Sequence, residues 1–410
     1  MHIVMLAPDC YMIDRRILLE ARTLIDAGNK VTLLSGFECQ KEEQYTKEGI
    51  DIHRYKYDWD DERLKKIRSM LPENDHFRTF INKSYMYLAR HFFEVSPFDQ
   101  FMINKALDFD ADIYHVHDLP CLKAGYHAAR FRNVPLVYDA HELYYAQTVL
   151  PLNLQKLYFR MEKKYIKYPD VTITVNPFIA GLMAERYKVK QPEVIMNCAE
   201  SLIEIDSEEA KKKLRTKGNI PERYKIVLYQ GWISQERNIE TLIQGVKYFP
   251  KEACLAIIGY GEHENVLRNL AEKENVNERV FFLGAVPSDE MLSLTAGADL
   301  GVIPYLPIDD NHKYCSPNKF FEFILAGVPV ITGDLPFFRL MNEKYDVIKF
   351  VDISNSEMFG KLITKLFSEP LLLNNLKINC YKAGKELNWE AERKKLLNIY
   401  NQSVVNIGRQ

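Results

Sequence analysis

A lysine and a glutamate lie close together in the stretch YCSPNKFFEFILAGVPVITG, residues 314–333. Ser316 is predicted to cap a helix, Pro317 to begin it and Gly327 to end it. Lys319 then falls in the first turn, where the helix dipole makes a positive charge unfavourable by roughly 0.3–1 kcal/mol. A bound anion would reverse this cost, because backbone N–H groups and the lysine would both bind it.

Glu322 lies three residues after Lys319, so both side chains share one face of the predicted helix. A phosphate at residues 316–318 would meet backbone N–H groups and Lys319, while Glu322 would accept hydrogen bonds from ribose hydroxyls, as carboxylates do in dinucleotide sites. That combination suits a nucleotide. A local surface ion pair worth about 0.2–0.5 kcal/mol explains the same spacing, so the spacing alone leaves both interpretations open.

A second cation and three glycines follow other predicted strands. In YQGWISQERNIETLI, Gly231 ends a strand and Arg237 precedes a helix, where a solvated arginine is the commoner outcome. Gly259 and Gly261 in IIGYGEHE follow the next strand, but position 264 is Glu, so the third glycine of a dinucleotide fingerprint is absent. The pattern therefore argues against a dehydrogenase and favours turns that let a ligand approach the backbone.

Three histidines and an aspartate form another polar group, in the first half of the chain. His115 and His117 lie two apart in DIYHVHDLP and share one side of a strand, Asp118 follows them, and His141 follows the next strand. Such a set could bind zinc, but the spacing matches no recognisable zinc motif. A polar contact to a ligand at the strand ends is the favoured interpretation, and satisfied core histidines are the alternative.

A segment of the first half mixes basic and aromatic residues in a way that suits an anionic membrane surface. Ordinary amphipathic helices with partly buried lysine stems are the commoner explanation of such a composition. The residues lie between positions 62 and 94: Arg63, Lys65, Lys66, Arg68, Arg78, Lys83 and Arg90, with Phe77, Phe80, Tyr85, Tyr87, Phe92 and Phe93.

The side chains above need a scaffold that brings strand ends together. Short apolar runs such as HIVMLAP and KVTLLSG alternate with helical patterns, of which one begins at Asn176 and Pro177. This alternation predicts a parallel sheet with helices on both faces. The pattern restarts at KIVLYQG, which predicts two doubly wound units with a boundary near residues 195–205. Ligands of such sheets bind at the carboxyl ends of the strands, beside helix N-termini.

Composition narrows the class of protein. A chain of 410 residues with 47% apolar residues can fill two cores, and a net charge of −2 without a charged tail argues against nucleic-acid partners. Seven cysteines without Cys-x-x-Cys spacing argue against a disulfide framework. With no predicted leader or membrane-spanning segment, we expect a cytoplasmic protein, at most peripheral at the inner face of the membrane.

Taken together, the motifs resemble those of the family 4 retaining glycosyltransferases with the GT-B fold. The resemblance covers nearly the whole chain. It rests on five segments in the family's order: DRRILLEARTLIDAGNKVTLL, DIYHVHD, VPLVYDAHE, SPNKFFEFILAGVPVI, and ELNWEAERKKLLNIYNQ with Trp389.

The resemblance implies an organisation in two Rossmann-like domains facing each other across a cleft. Residues 1–197, completed by a C-terminal helix at 390–410, would bind an acceptor, and residues 198–389 would bind a nucleotide sugar. A UDP-, GDP- or ADP-sugar would be the donor, with no other cofactor and no metal, and a glycan or lipid-linked glycan the acceptor in cell-surface polysaccharide synthesis.

The resemblance also assigns roles to residues. Lys319 and Arg237 would bind the diphosphate, Glu322 the ribose hydroxyls, the turn with Gly284 and Val286 the base, and His117 a hydroxyl of the transferred sugar. Further donor contacts would come from Gly231, Gly259, Gly261, Ser316, Pro317 and Asn318. Candidates on the acceptor side are Arg16, His115, Asp118 and His141.

The chain departs from the family pattern at two places. Position 314 is Tyr, where a second Glu is common, and the usual Gly-Arg and Lys-Gly pairs are Gly231-Trp232 and Arg237-Asn238. These changes affect how the donor sugar is held. Two alternatives to a transferase stay open: a nucleotide-sugar epimerase, which can share this two-domain fold, and a catalytically silent homologue acting as a partner subunit or sugar sensor, which the missing Glu favours.

Overall fold

The fold is given by a computed structural model, which describes residues 1–8, 13–36, 39, 41–57, 69, 84, 95–201 and 206–404. The chain divides into two compact units. Unit 1 comprises Met1–Ile195 with Arg393–Gln410, and unit 2 comprises Met196–Glu392. The sequence pattern placed the corresponding divisions at residues 197/198 and 389/390.

Unit 1 is built on an eight-stranded sheet with the strand order β3-β4-β2-β1-β5-β6-β7-β8. The strands are β1 (His2–Ala7), β2 (Lys30–Ser35), β3 (Glu43–Lys47), β4 (Ile50–Arg54), β5 (Ile113–His117), β6 (Leu136–Ala140), β7 (Val171–Thr174) and β8 (Glu193–Val194). They pair in parallel, except that the edge strand β3 runs antiparallel to β4. The predicted parallel sheet is thereby confirmed, with one antiparallel edge.

Three of the described helices of unit 1 begin at residues whose side chains cap them: Asp14, Ser96 and Asn176. Asp14 caps the first helix by accepting a hydrogen bond from the Arg16 backbone N–H at 2.7 Å. Asn176 caps the helix that starts at Pro177, as predicted. The described helices are α1 (Arg15–Asp26), α2 (Pro97–Leu107), α3 (Asp118–Arg132), α4 (Leu152–Tyr165) and α5 (Pro177–Tyr187).

Unit 2 contains a six-stranded, entirely parallel sheet with the order β11-β10-β9-β12-β13-β14. Its strands are β9 (Lys225–Gln230), β10 (Ala253–Ile258), β11 (Val280–Gly284), β12 (Leu300–Ile303), β13 (Val330–Thr332) and β14 (Ile348–Phe350). Every residue of β10 is fully buried, because helices cover both faces of a doubly wound sheet. The predicted second unit is thus confirmed.

Helices surround this second sheet, and the last α-helix of the described residues ends at Ile399. They are α6 (Ser207–Gly218), α7 (Ile239–Gly245), α8 (Glu264–Lys273), α9 (Ser288–Thr295), α10 (Asp310–Tyr314), α11 (Asn318–Leu325), α12 (Pro336–Tyr345), α13 (Ser356–Ser368), α14 (Pro370–Gly384) and α15 (Trp389–Ile399). A π-helical turn, Tyr400–Val404, follows α15 and belongs to unit 1. None of the helices in the described ranges is long and apolar enough to cross a membrane.

The helix that carries Lys319 begins one residue later than predicted. Helix α11 starts at Asn318, and Pro317 occupies the capping position with a ψ of 143° and no side-chain cap hydrogen bond. The expected cap by Ser316 is therefore wrong, because the extended conformation of Pro317 separates that serine from the first helical turn. At the other end Gly327 has a φ of 70° and ends the helix as predicted.

The basic and aromatic segment between positions 62 and 94 lies outside the described residues, apart from Ser69 and Ser84. Its interpretation as a membrane-facing element stays a prediction of the sequence.

Candidate functional site

In unit 2, a buried lysine lies over the faces of two tyrosines at the carboxyl end of the sheet. Tyr229 is near the end of β9, Tyr305 follows β12, and Lys319 is in the first turn of α11. The Lys319 Nζ atom lies 4.4 Å from the centroid of the Tyr229 ring and 5.1 Å from that of Tyr305. Only 7% of the lysine is exposed. The ammonium group is therefore held against aromatic rings instead of water.

Arg237 lies over the same tyrosine. It ends a short 3-10 turn after β9, and its guanidinium carbon is 4.7 Å from the centroid of the Tyr305 ring. Among the residues that the structure describes, no carboxylate comes within salt-bridge distance of the Lys319 amine or the Arg237 guanidinium, and neither side chain makes a hydrogen bond. Two cations thus share an aromatic partner, and neither is paired with a carboxylate in the part of the chain that the structure describes.

Burial and mutual repulsion act on the charge of Lys319. Burial, followed by the nearby charge of Arg237, lowers the pKa of Lys319 to about 7, and the charge of Glu322 offsets this only in part. Burial also opposes the charge of Arg237, but its phenolic and acidic neighbours keep the pKa of that guanidinium above its usual value. Lys319 therefore gains most from an incoming anion, which would favour its protonated form.

Glu322 is oriented by a hydrogen-bond chain in the core of unit 2. Its Oε2 atom accepts a hydrogen bond from the Gln230 Nε2 at 2.5 Å, and the Gln230 Oε1 accepts one from the Thr295 hydroxyl at 2.8 Å. Glu322 is 8% exposed. The alternative that Lys319 and Glu322 form a solvated surface ion pair is wrong, because both are buried and the two charged groups are not at salt-bridge distance.

The predicted glycines occupy tightly packed turns at this edge of the sheet. Gly231 has a φ of 127°, and a Cβ atom there would lie 2.7 Å from the Lys319 amine. A Cβ on Gly259 would lie 1.9 Å from the Gly231 carbonyl oxygen, and one on Gly261 would lie 2.1 Å from that of Ile233. Gly259 and Gly261 thus allow two turns to pack against each other, whereas Gly231 leaves space for the lysine.

The turn after β11, to which the nucleotide base was assigned, has open space where a side chain at Gly284 would lie. Gly284 has a φ of 73°, and a Cβ atom on it would meet no heavy atom within 4 Å. The Gly284 carbonyl accepts a hydrogen bond from the Gly259 N–H at 3.0 Å. Val286, two residues on, is half-buried. This turn is joined to the glycine turns by a backbone hydrogen bond.

The structure explains part of the second departure from the family pattern, the asparagine at position 238. Asn238 has a φ of 53°, a left-handed conformation that Asn tolerates better than most residues and for which Gly is the usual choice. Its Nδ2 atom donates hydrogen bonds to the carbonyls of Pro304 at 3.2 Å and Ile353 at 3.0 Å. Asparagine therefore replaces glycine without strain. Trp232, by contrast, is 45% exposed, and nothing in the structure explains its choice over arginine.

Unit 1 contains a buried cluster of charged side chains at the carboxyl ends of β5 and β6. Arg16 of α1 donates two hydrogen bonds to Asp139, from Nε at 2.7 Å and from Nη2 at 2.9 Å, and a third from Nη1 to the Ile195 carbonyl at 2.6 Å. Glu20, one turn further along α1, has an oxygen 3.1 Å from the Arg16 Nε. The arginine thereby ties α1 to the sheet and neutralises buried acid.

His115 and His117 are stacked in this cluster, with ring centroids 4.5 Å apart and planes inclined by 24°. The Nδ1 atom of His115 is hydrogen-bonded at 2.8 Å to the hydroxyl of Tyr400, in the turn after α15. Its Nε2 atom lies 3.6 Å from Glu20. Both histidines are fully buried, so His115, predicted to lie on the acceptor side, has no exposed surface in this structure.

His141 is the charged histidine of the cluster. Burial opposes its charge, but Asp118 and Asp139 outweigh burial and raise the pKa of His141 to about 10. Its Nε2 atom lies 3.2 Å from the Nδ1 of His117, and burial with the nearby charge of His141 lowers the pKa of His117 to about 4. The Nδ1 of His117 and the Nε2 of His141 also lie 3.5 Å and 3.2 Å from the same Asp139 oxygen, so both rings share one carboxylate. Among the described residues, the Nε2 of His117 has no hydrogen-bond partner.

A candidate metal-binding group exists in the same place but with different members from those expected. One ligand atom each from Glu20, His115, His117 and Asp139 lies within 4.8 Å of the others. The stacked imidazoles have nearly parallel planes, so their in-plane lone pairs do not converge on one point. Arg16 also binds both acids. As arranged, these side chains form an ion-pair cluster, not a tetrahedral zinc site.

The structure thus brings Arg16, His115, His117, Asp118 and His141 together in unit 1, and Lys319, Arg237 and Glu322 together in unit 2. Sequence reasoning missed the side chains that hold them. Their signal was weak, since each is an ordinary buried residue in a strand or helix pattern. They are Glu20, Asp139 and Tyr400 in unit 1, and Tyr229, Gln230 and Tyr305 in unit 2.

Two family models match the chain in succession. One, described as "Glycosyltransferase Family 4", matches residues 13–200, and the other, described as "Glycosyl transferases group 1", matches residues 210–386. An uncharacterized glycosyltransferase, MJ1607 of Methanocaldococcus jannaschii, is 24% identical over 49% of this chain and 51% of its own. The alpha-monoglucosyldiacylglycerol synthase of Streptococcus pneumoniae is 22% identical over 65% and 61%. The match thus spans about half to three fifths of these relatives.

Solved structures share the fold over nearly the full chain. Anabaena Alr3699/HepE, crystallised with UDP, has a TM-score of 0.71 at 13% identity, covering 98% of this chain and 100% of its own. Sucrose-phosphate synthase of Thermosynechococcus elongatus has a TM-score of 0.73 at 16% identity, covering 98% of both chains. WaaG, a glycosyltransferase involved in lipopolysaccharide biosynthesis, scores 0.67 at 14%, covering 97% and 100%. The predicted GT-B fold is confirmed.

Proposed function

Because this chain belongs to the family 4 glycosyltransferases, we propose that it transfers a sugar from a nucleotide-diphosphate sugar to a hydroxyl of a glycan or lipid-linked glycan. The bond between the anomeric carbon and the diphosphate oxygen breaks, and the same carbon bonds to the acceptor oxygen. The acceptor proton passes to the departing diphosphate. We assign the reaction to the retaining class, on the family resemblance alone.

The observation that carries the proposal is the pair of cations over Tyr305. Lys319 and Arg237 lie near each other, one of them buried, and no carboxylate of the described residues pairs with either. A diphosphate supplies the missing negative charge. The charge on the leaving oxygen grows in the transition state, so two fixed cations beside a helix N-terminus stabilise the transition state more than the bound substrate.

Other residues are proposed to bind the rest of the donor. Glu322, oriented by Gln230, is proposed to bind the ribose hydroxyls. The open turn with Gly284 and Val286 is proposed to bind the base. The Nε2 atom of His117, which has no hydrogen-bond partner among the described residues, is proposed to contact a hydroxyl of the transferred sugar, and this contact requires the buried atom to become accessible. The two cations would stabilise the diphosphate charge that a divalent metal stabilises in other enzymes, so we propose a metal-independent enzyme.

UDP-glucose is the first donor to test, because Anabaena HepE of the same fold was crystallised with UDP and with UDP-glucose. GDP- and ADP-sugars follow. For the acceptor, the Streptococcus pneumoniae relative named as a glucolipid synthase and the lipopolysaccharide enzyme WaaG direct attention to lipid-linked glycans. We propose a cytoplasmic enzyme, peripheral at the inner membrane face, that contributes to a cell-surface polysaccharide.

The test is a thermal-shift screen of the whole chain against UDP-, GDP- and ADP-sugars, followed by measuring donor hydrolysis without acceptor. A ligand present at 100 times its dissociation constant stabilises a fold by about 2.7 kcal/mol, which is easily detected. One nucleotide class is expected to stabilise the protein and to be slowly hydrolysed. Binding without any hydrolysis favours a silent homologue, and sugar isomerisation without transfer favours an epimerase.

A variant separates this site from unspecific nucleotide binding. Glu322→Ala is expected to weaken binding of the nucleotide sugar by about 1–3 kcal/mol, because a hydrogen-bonded carboxylate is lost. Glu272→Ala, a change of an exposed glutamate near the end of α8, serves as the control. Unchanged affinity in Glu322→Ala would make Glu322 a structural residue of the helix.

A further inference from the structure

Any diphosphate site has to hold like charges close together before the ligand arrives. A carboxylate between two cations would hold them together, but among the described residues none lies between Lys319 and Arg237. The third charged group nearby, Glu322, is engaged with Gln230. Some other feature has to keep both cations from turning outward to solvent.

Tyr305 lies in contact with both of them. Its ring centroid is 4.7 Å from the Arg237 guanidinium carbon and 5.1 Å from the Lys319 amine. Cations are attracted to the face of an aromatic ring by its quadrupole, and this attraction is stronger where water is excluded. Here the ring is buried, with 6% of Tyr305 exposed. The tyrosine therefore attracts both cations at a place where water competes little.

Tyr229 completes the arrangement from the neighbouring strand. Its ring lies 4.4 Å from the Lys319 amine, and its hydroxyl donates a hydrogen bond to the Trp232 carbonyl at 2.6 Å. That hydrogen bond joins the ring to the turn containing Gly231, whose missing side chain leaves the space that the amine occupies. The lysine is thus bounded by two aromatic faces and a glycine.

We infer that Tyr305, with Tyr229, is a positioning residue for donor binding: the tyrosine faces hold the Lys319 and Arg237 cations in place for the diphosphate. This inference rests on the proposed function of the site. A carboxylate between the cations would also position them, but it would neutralise the charge and repel the diphosphate. An aromatic face attracts each cation and leaves its charge available to the ligand.

The charged and titratable groups near Lys319 do not replace the tyrosine rings in positioning the cations. They comprise Arg237 after β9, Glu322 on the same helix, and Cys315, whose thiol pKa burial raises to about 12. Burial likewise raises the pKa of the Tyr305 hydroxyl to about 12. Both groups therefore stay neutral at neutral pH, and the tyrosine acts through its ring face, not through a phenolate.

The experiment replaces the side chain at position 305 in the whole chain and measures binding of UDP, GDP, ADP and inorganic pyrophosphate by calorimetry. Tyr305→Phe keeps the ring face and is expected to bind within about twofold of wild type. Tyr305→Leu removes it and is expected to raise the dissociation constant about tenfold or more. Tyr248→Leu, at a tyrosine whose ring centroid lies 5.4 Å from the Lys247 amine in another part of unit 2, is the matched control.

A fluorine series separates attraction to the ring face from simple filling of space. Replacing Tyr305 by phenylalanine with one, two, three or four ring fluorines changes volume little but weakens the quadrupole step by step. The affinity for the diphosphate ligand is expected to fall with each fluorine. A purely structural ring would give the same affinity across the series. Circular dichroism and thermal unfolding of each variant identify any that does not fold.

The outcomes for the two proposals can be told apart. If wild type binds none of the four ligands, the proposed function fails. If wild type binds one of them and Lys319→Ala does not, the proposed site is supported. Equal affinity across the fluorine series would then contradict only the role of the tyrosines. Equal losses in Tyr305→Phe and Tyr305→Leu would contradict it as well.

Discussion

At the scale of single residues, Lys319 and Arg237 are expected to act on the leaving group. Replacing either by alanine is expected to lower turnover by about 10²–10³, because each stabilises charge that develops in the transition state. The measurement is steady-state transfer or donor hydrolysis with the nucleotide sugar identified in the screen. Folding should change much less than turnover.

Lys313→Ala is the control for these variants, since Lys313 is an exposed lysine six residues before Lys319. Turnover close to wild type in both Lys319→Ala and Arg237→Ala would remove the diphosphate from this site.

A dependence on pH follows from the same lysine. In the free protein the pKa of Lys319 is lowered to about 7 by burial and by Arg237, so the amine loses its proton as pH rises through 7. The anion binds the protonated form. The dissociation constant for UDP or pyrophosphate should therefore rise about tenfold per pH unit above 7, until the pKa of the complex is reached.

Calorimetry between pH 6 and 9 tests this dependence, and Lys319→Arg is the comparison because arginine stays charged over the whole range. The variant is expected to lose most of the slope. A wild-type affinity that is constant from pH 6 to 9 would show that Lys319 is not the group whose charge the ligand needs.

At the scale of elements, the turns at the carboxyl ends of the strands hold the donor site. Asn238 connects the 3-10 turn that carries Arg237 to the loops after β12 and β14, through its hydrogen bonds to Pro304 and Ile353. These amide contacts position the backbone next to Arg237, whereas its guanidinium group contacts the ring of Tyr305. Asparagine in place of glycine at position 238 adds these contacts while keeping the left-handed backbone.

The turn after α15 contributes Tyr400 to the buried cluster of unit 1, where its hydroxyl contacts His115 at 2.8 Å. Tyr400→Phe removes this partner and leaves a buried imidazole nitrogen unpaired. We expect the free energy of unfolding to fall by about 1–3 kcal/mol, measured by urea denaturation. Tyr168→Phe, at a tyrosine of unit 1 that is 46% exposed, should change it little. Equal effects of the two changes would contradict a structural role for the Tyr400 hydroxyl.

At the scale of the whole molecule, activity is expected to survive chelators. The diphosphate charge is assigned to Lys319 and Arg237, and the stacked histidines of unit 1 do not direct their lone pairs to one point. Turnover should be unchanged after treatment with EDTA and dialysis. Loss of turnover that zinc or manganese restores would reverse the assignment of the histidine and acid cluster.

Association with a membrane is a second property of the whole molecule. Each Lys or Arg near an anionic surface contributes about 1 kcal/mol, so the basic segment between positions 62 and 94 predicts weak and salt-sensitive binding. Sedimentation with vesicles should require anionic lipid and decrease as salt increases. It should also weaken when Lys65, Lys66 and Arg68 are changed to glutamate.

In the control, three exposed lysines of unit 2 are changed to glutamate, and vesicle binding should stay intact. They are Lys212, Lys217 and Lys251. Equal sedimentation with neutral and anionic vesicles, or none with either, would favour an acceptor that is not part of a membrane.

Local patterns in the sequence were enough to predict the two doubly wound units, the helix that carries Lys319 and Glu322, and the glycine turns. These features follow from local rules. Apolar periodicity, capping residues and glycine at left-handed positions act over a few neighbouring residues, so they can be interpreted without the fold. The predicted cap at Ser316 was wrong, because Pro317 occupies the capping position and the helix begins one residue later, at Asn318.

The surroundings of the functional side chains, by contrast, depend on how distant segments pack in the folded chain. Tyr229 and Tyr305 belong to different strand ends, and Tyr400 reaches His115 across 285 residues of sequence. Which aromatic face lies under a cation, and which acid a buried arginine neutralises, depend on strand order and helix packing. A buried tyrosine or acid is compatible with any strand in a hydrophobic pattern, so the sequence pattern does not identify its partners. Those partners are set by contacts between distant segments and not by spacing along the chain.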